Sequence, residues 1–104
     1  MSSVFIMLKD ATTAPQTSQI VEFANNSRTV QATIAGTGAV SATIDWYGTN
    51  TRSTVDGIKI ATTTLSETTS DRSGAEITAN WNFMYCTLTA ISGTGATVNA
   101  NIGC

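Results

Sequence analysis

The sequence contains no histidine. The commonest general base and the commonest protein metal ligand are therefore missing, which excludes serine triads and sites built on two histidines. Charge is scarce as well: 12% of residues are charged, about half the usual share, and the net charge is -2. Such a chain has neither the basic footprint of a nucleic-acid binder nor an acidic tail. Proline occurs once, at Pro15, too rarely for a disordered linker. The longest apolar run, Val4-Phe5-Ile6-Met7-Leu8, falls far short of the roughly 20 residues of a spanning helix, so no membrane partner is expected. It also lacks the basic start and small-residue cleavage site of a signal peptide. The chain is expected to be made and kept in a cytoplasm, or released by lysis.

What the sequence does contain is threonine, about a fifth of its 104 residues, on a background that is 41% apolar. Threonine is β-branched and polar, which suits the solvent face of a strand. The length is that of one domain able to bury a modest core without disulfides or metal. Residues 1–104 are read as that domain, with 1–26 as an extended N-terminal arm or edge strand.

Two stretches resemble each other. Thr33 to Ile44 and Ala90 to Ile102 each alternate small apolar and polar residues around Gly-Thr-Gly, at Gly36-Thr37-Gly38 and Gly93-Thr94-Gly95. Glycine reaches positive φ without steric penalty, so each copy predicts a tight antiparallel hairpin. Around them, residues 3 to 8 predict a short buried strand and Gln19 to Phe23 a second. Asn25-Asn26-Ser27 predicts a turn. Val30, Ala32 and Ile34 predict one inner face, continued by Val40, Ala42, Ile44 and Trp46. Gly48 to Asp56 and Ser66 to Ser73 read as polar loops, with a strand from Ile58 towards Leu65 between them. Ala75, Ile77 and Ala79 suggest a short strand. Phe83 to Ile91 predicts the most apolar strand, with Met84, Cys86, Leu88 and Ala90 on one face; Val98, Ala100 and Ile102 finish the pattern. About eight strands separated by turn signals predict an all-β, antiparallel β-sandwich, jelly-roll-like.

Candidate chemistry is thin. The acids Asp10, Glu22, Asp45, Asp56, Glu67, Asp71 and Glu76 are scattered over predicted loops and outer faces, where solvated charge is the ordinary state. Each Gly-Thr-Gly joins strand to strand, with no helix start and no following lysine to hold a phosphate. Asp45, Asp56 and Asp71 lack the spacing of a calcium loop. No catalytic residue, metal or cofactor is expected. A hairpin centred on Thr94 would set Cys86 opposite Ile102 and Cys104 opposite Met84, a diagonal poorly suited to a disulfide. Free thiols are the expectation, Cys86 buried and Cys104 at the terminus; a bridge would require a bulged hairpin. Among the aromatics, Trp46 has core parity. Tyr47, Trp81 and Tyr85 remain as candidate interface or glycan contacts.

Several segments together resemble a family of small tailed-bacteriophage virion proteins. They are Ser27 to Ile34, Gly36 to Ile44, Tyr47-Gly48-Thr49-Asn50, Ile60 to Ser66, Trp81 to Tyr85 and Leu88 to Val98. Such sequences often place an arginine near Tyr85 and a second Asn-Asp-Gly-like turn near Thr51; this chain has neither. The resemblance implies a β-sandwich structural component of the virion, synthesised in the host cytoplasm and not an enzyme. Capsid decoration or cement is the first expectation, and a tail or head-fibre-base module the next. The implied partners are the phage major capsid protein or another virion protein, and copies of itself as a dimer or trimer, with no nucleic acid. A carbohydrate-binding β-sandwich is the reading from a different class, since fold alone does not define function. An enzyme or a secreted disulfide domain ranks last.

Overall fold

The structure, a computed structural model, describes residues 4–22, 28–77 and 81–103. The turn expected at 25–27, Ala79 and Cys104 lie outside them. Seven strands run through the described residues: β1 (Val4–Ala11), β2 (Gln16–Thr17), β3 (Val21–Glu22), β4 (Arg28–Thr49), β5 (Ile58–Ile77), β6 (Phe83–Ser92) and β7 (Thr97–Gly103). All pairings are antiparallel.

The two longest strands set the plan. β4 pairs with β5 along nearly its whole length, from Arg28↔Ile77 to Gly48↔Ile58. Along its other edge β4 meets β7 first, over Thr29 to Ala35, and then β6, over Ser41 to Thr49. β6 and β7 thus lie end to end on one partner. One layer is β1–β7–β4–β5, using residues 28–35 of β4 and 70–77 of β5; the other is β2 and β3 on β6, then 39–49 of β4 and 58–68 of β5. This is the expected all-β antiparallel sandwich, nearly closed into a barrel. Gln19 Nε2 donates to Ile6 O at 3.4 Å, joining the β3 side of one layer to β1 of the other. Val4 pairs with Gly103, so the two ends of the described chain lie side by side.

The expected hairpins are absent. Gly36-Thr37-Gly38 lies inside β4, as three residues opposite Thr69 alone on β5, between the pairs Ala35↔Ser70 and Ala39↔Thr68. Gly93-Thr94-Gly95 connects the collinear β6 and β7. The two motifs lie against each other: Thr37 N–H and Thr37 Oγ1 both donate to Thr94 O at 3.0 Å. Extra residues in a ladder bend it, and here the long strands pass from one layer to the other. Gly93 and Gly95 have φ of 118° and 66°, while Gly36 and Gly38 lie outside the left-handed region. β5 turns the same corner at Thr69, a β-branched residue at φ 69°, which carries backbone strain. The Asp71 carboxylate spans that corner, accepting from Ser66 N–H at 3.0 Å and Arg72 N–H at 2.8 Å. These bonds hold its pKa below the usual value, the Ser66 bond first. Residues 66–73, expected as a loop, are strand because β4 pairs with them.

The inner faces follow the period of two. Val30, Ala32, Ile34, Val40, Ala42, Ile44 and Trp46 of β4 are buried, with Met84, Cys86 and Leu88 of β6 and Val98, Ala100 and Ile102 of β7. These residues belong to one core. Ala90, expected inside, is exposed: β6 carries one residue more than β4 between Ile44↔Leu88 and Thr43↔Ala90, which reverses the faces beyond Thr89. Trp46 Nε1 donates to the buried Thr63 Oγ1 at 2.9 Å, so the indole N–H keeps a partner in the core.

Candidate functional site

The three aromatic residues singled out from the sequence, Tyr47, Trp81 and Tyr85, gather at the end of the sandwich away from the Gly-Thr-Gly corner. Tyr47 and Tyr85 are cross-strand partners on β4 and β6. Their rings stack at 5.0 Å between centroids with planes 7° apart. Their parity points both outward, yet Tyr85 is buried. Residues 50–57, which join β4 to β5, fold over it, and the Tyr85 hydroxyl donates to Thr54 O at 2.8 Å. Burial pushes the phenol's pKa up, and the neighbouring Tyr47 adds to the shift.

Two glycines make this packing sterically feasible. A Cβ on Gly48 would overlap the Trp81 indole, and one on Gly57 would overlap the Tyr85 hydroxyl. The connection is tied internally as well. Thr51 N–H donates to Thr49 Oγ1 at 3.1 Å, Thr51 Oγ1 donates to Asp56 Oδ2 at 3.1 Å, and Val55 N–H donates to Ser53 Oγ at 3.2 Å. Arg52 lies 4.8 Å from the centroid of Phe83 and 3.5 Å from Glu22. Both charges of that pair are exposed, so it adds little stability.

Arg28 closes the end. It is buried at the start of β4, and its Nη1 donates to Trp81 O at 2.8 Å. Trp81 in turn packs over Gly48, close to the far end of the same strand. The two ends of β4 are thus brought back to one place.

The result is a tethered loop presenting apolar side chains to solvent. Val55 is 89% exposed and Ile58 55%. Val4 and Ile6 are exposed on β1. The arrangement suits contact with another surface. One face of each stacked tyrosine is taken by the other, and Trp81 is half-buried against the core. Sequence reasoning named Tyr47, Trp81 and Tyr85 and missed Arg28, Arg52 and Val55. The signal for the loop was Gly48 and Gly57 at its two ends, where a ring needs room.

Cys86 is a free, buried thiol. Its strand partner is Trp46, and Ile102 pairs with Val30 and Phe5, so the expected Cys86–Ile102 register fails with the hairpin. Burial pushes the Cys86 thiol up to about 11. Among the described residues no cluster of three or more acids or cysteines is placed to hold a metal ion. A cleft of about 510 Å³ lies at the bend, lined by Thr33, Ala35, Asp71, Arg72, Thr97 and Asn99 among others.

No family model and no curated protein matches the chain. Its class is therefore defined by its fold: an all-β antiparallel sandwich whose long strands run through both layers. The SPBc2 prophage-derived protein YomS has a similar fold, with a TM-score of 0.59 and 15% identity over 100% of this chain and 94% of that one. A weaker likeness is to a structure of Bacillus endospore appendages, described as disulfide-linked pili, with a TM-score of 0.45 and 16% identity over 98% and 85%. Another is to infectious bursal disease virus VP2 from a subviral particle, with 0.47 and 12% over 99% of this chain and 32% of that one. At such identities the likeness is one of fold.

Proposed function

We propose that the chain is a structural component of a bacteriophage virion, a capsid decoration or cement protein that stabilises the lattice through its interfaces. The observation that carries this reading is the likeness in fold to a prophage-derived protein, which spans all of this chain and nearly all of the other. The chemistry is in keeping with it. A histidine-free, threonine-rich chain of low charge suits surfaces made for packing. The tethered loop holds Val55 out as an apolar contact. The partners in this reading are the major capsid protein or another virion protein, and other copies of the chain. A tail or head-fibre-base position is the neighbouring reading and differs only in the lattice that is bound.

Mass spectrometry of purified particles tests the proposal. The chain should be present in many copies per particle, and Val55→Asp should reduce its incorporation while leaving its thermal midpoint unchanged. Its absence from particles would overturn the reading. Particles assembled without it should lose their genome at lower temperature if the role is cementing.

A further inference from the structure

Sheet edges are uncovered backbone, and native chains usually blunt them. Three of the edges here are blunted. β1 has register shifts between Ile6 and Leu8 and between Leu8 and Ala11. β2 and β3 are two residues each. The first half of β5 has an extra residue, Ile60, opposite the step from Trp46 to Tyr47. The second half of β5 is different. Residues 70–77 pair with 28–35 of β4 in unbroken register, and no other described strand pairs with them. Ser73 and Ala75 are exposed although their β4 partners, Ala32 and Val30, are buried. Among the described residues the layer ends at this regular strand, with no neighbouring strand on its far side.

The sequence of that strand is complementary to itself. Arg72 and Glu76 flank Gly74 at equal distance and lie on one face, opposite Thr33, Thr29 and Gln31 respectively for Arg72, Glu76 and Gly74. Among the described residues neither Arg72 nor Glu76 forms a salt bridge within the chain. Antiparallel pairing about a two-fold axis keeps each face on its own side, so only residues of equal parity can stand opposite one another. With the axis at Gly74, Arg72 of each copy meets Glu76 of the other, and Ser73 meets Ala75. Asp71 meets Ile77, its carboxylate already held by Ser66 and Arg72 N–H groups. The other half of β5 has no such solution. Lys59 and Glu67 are symmetric about Thr63, but Lys59 pairs with the outward Tyr47 and Glu67 with the inward Val40, so they lie on opposite faces.

We propose that two copies of the chain associate through residues 71–77 of β5, antiparallel about a two-fold axis at Gly74. The two first layers then form one continuous eight-stranded sheet with two Arg72–Glu76 pairs on its outer face. This stands independently of the virion reading: a chain absent from particles can still dimerise, and a monomeric chain can still coat a particle.

Charge reversal tests it. Like charges directly opposite across a ladder are destabilising, and the symmetry doubles each change. Arg72→Glu alone, or Glu76→Arg alone, should raise the dimer dissociation constant about tenfold or more by sedimentation equilibrium of the intact chain up to the millimolar range. Circular dichroism confirms that each variant is folded. An equimolar mixture of the two variants restores opposite charges at both pairs and should dimerise like the parent. A parent that stays monomeric across the range would overturn the proposal. So would single variants that dimerise as tightly as the parent, which would put the contact at another edge such as β1, or a mixture that stays monomeric.

Discussion

Replacing Gly93 by valine should destabilise the domain by about 3 kcal/mol, because the residue sits at φ 118° and a Cβ there would lie 2.7 Å from Ala39 O. Gly38→Ala should stay within about 0.5 kcal/mol of the parent, having open space around it and no left-handed backbone. Urea denaturation of the two variants separates a bend glycine from a bystander; equal midpoints would contradict the corner described above. A second residue-scale effect concerns pH. The Cys86 thiol, at about 11 against an ordinary 9.0, keeps its proton more tightly in the folded chain than in the unfolded one. Its contribution, about 3 kcal/mol, is complete below about pH 9 and is lost as pH rises towards 11. Parent protein should therefore lose more stability between pH 8 and pH 11 than Cys86→Ala, which begins lower but lacks this slope. Matching slopes in urea titrations would remove the thiol from the account. These residues also mark what a sequence can reveal. The inward set Val30, Ala32, Ile34, Val40, Ala42, Ile44 and Trp46 was legible, because the strand period fixes faces whatever lies between the runs. The role of Gly-Thr-Gly was not. A glycine motif between two alternating runs fits a hairpin or a bulge equally well, and only the partner, 57 residues away for Thr37 and Thr94, decides.

At the scale of the element, the connection over 50–57 is held by one phenol. Tyr85→Phe removes the bond to Thr54 O and keeps the stacked ring. It should cost about 1 kcal/mol and speed amide exchange in the connection while leaving the centres of β4 and β6 protected. Unchanged exchange there would mean that Gly57 and the ring contacts suffice as the tether. The gathering of Tyr47 and Tyr85 was half visible in the sequence, since both fall on outward positions of neighbouring strands. Their enclosure was not, because it depends on where a polar connection folds. The second half of β5 was hidden for a related reason. Ser66 to Ser73 has the composition of a loop, and an edge strand needs little apolar content when one side and one face are wet.

For the whole molecule, the decisive fact is that β4, β5 and the β6–β7 line each belong to both layers. Neither layer can separate without breaking the continuous ladders of the other. Unfolding should therefore be a single transition. Trp46 and Trp81 report on the second layer by fluorescence, and far-UV circular dichroism reports on both. The two thermal curves should coincide, and a fluorescence midpoint displaced from the dichroism midpoint would reveal layers that melt apart. A mechanical consequence follows from the pairing of Val4 with Gly103. Tension applied through both ends of the described chain pulls β1 away from β7 crosswise, so the hydrogen bonds yield one after another, as in a zip. Tension between the tip of the 50–57 connection and the Ala11 end of β1, which lies at the bend through Val98 and Ile34, instead runs along the strands and meets many bonds in shear at once. A lattice that grips the molecule by that tip would hold it in its stiff direction.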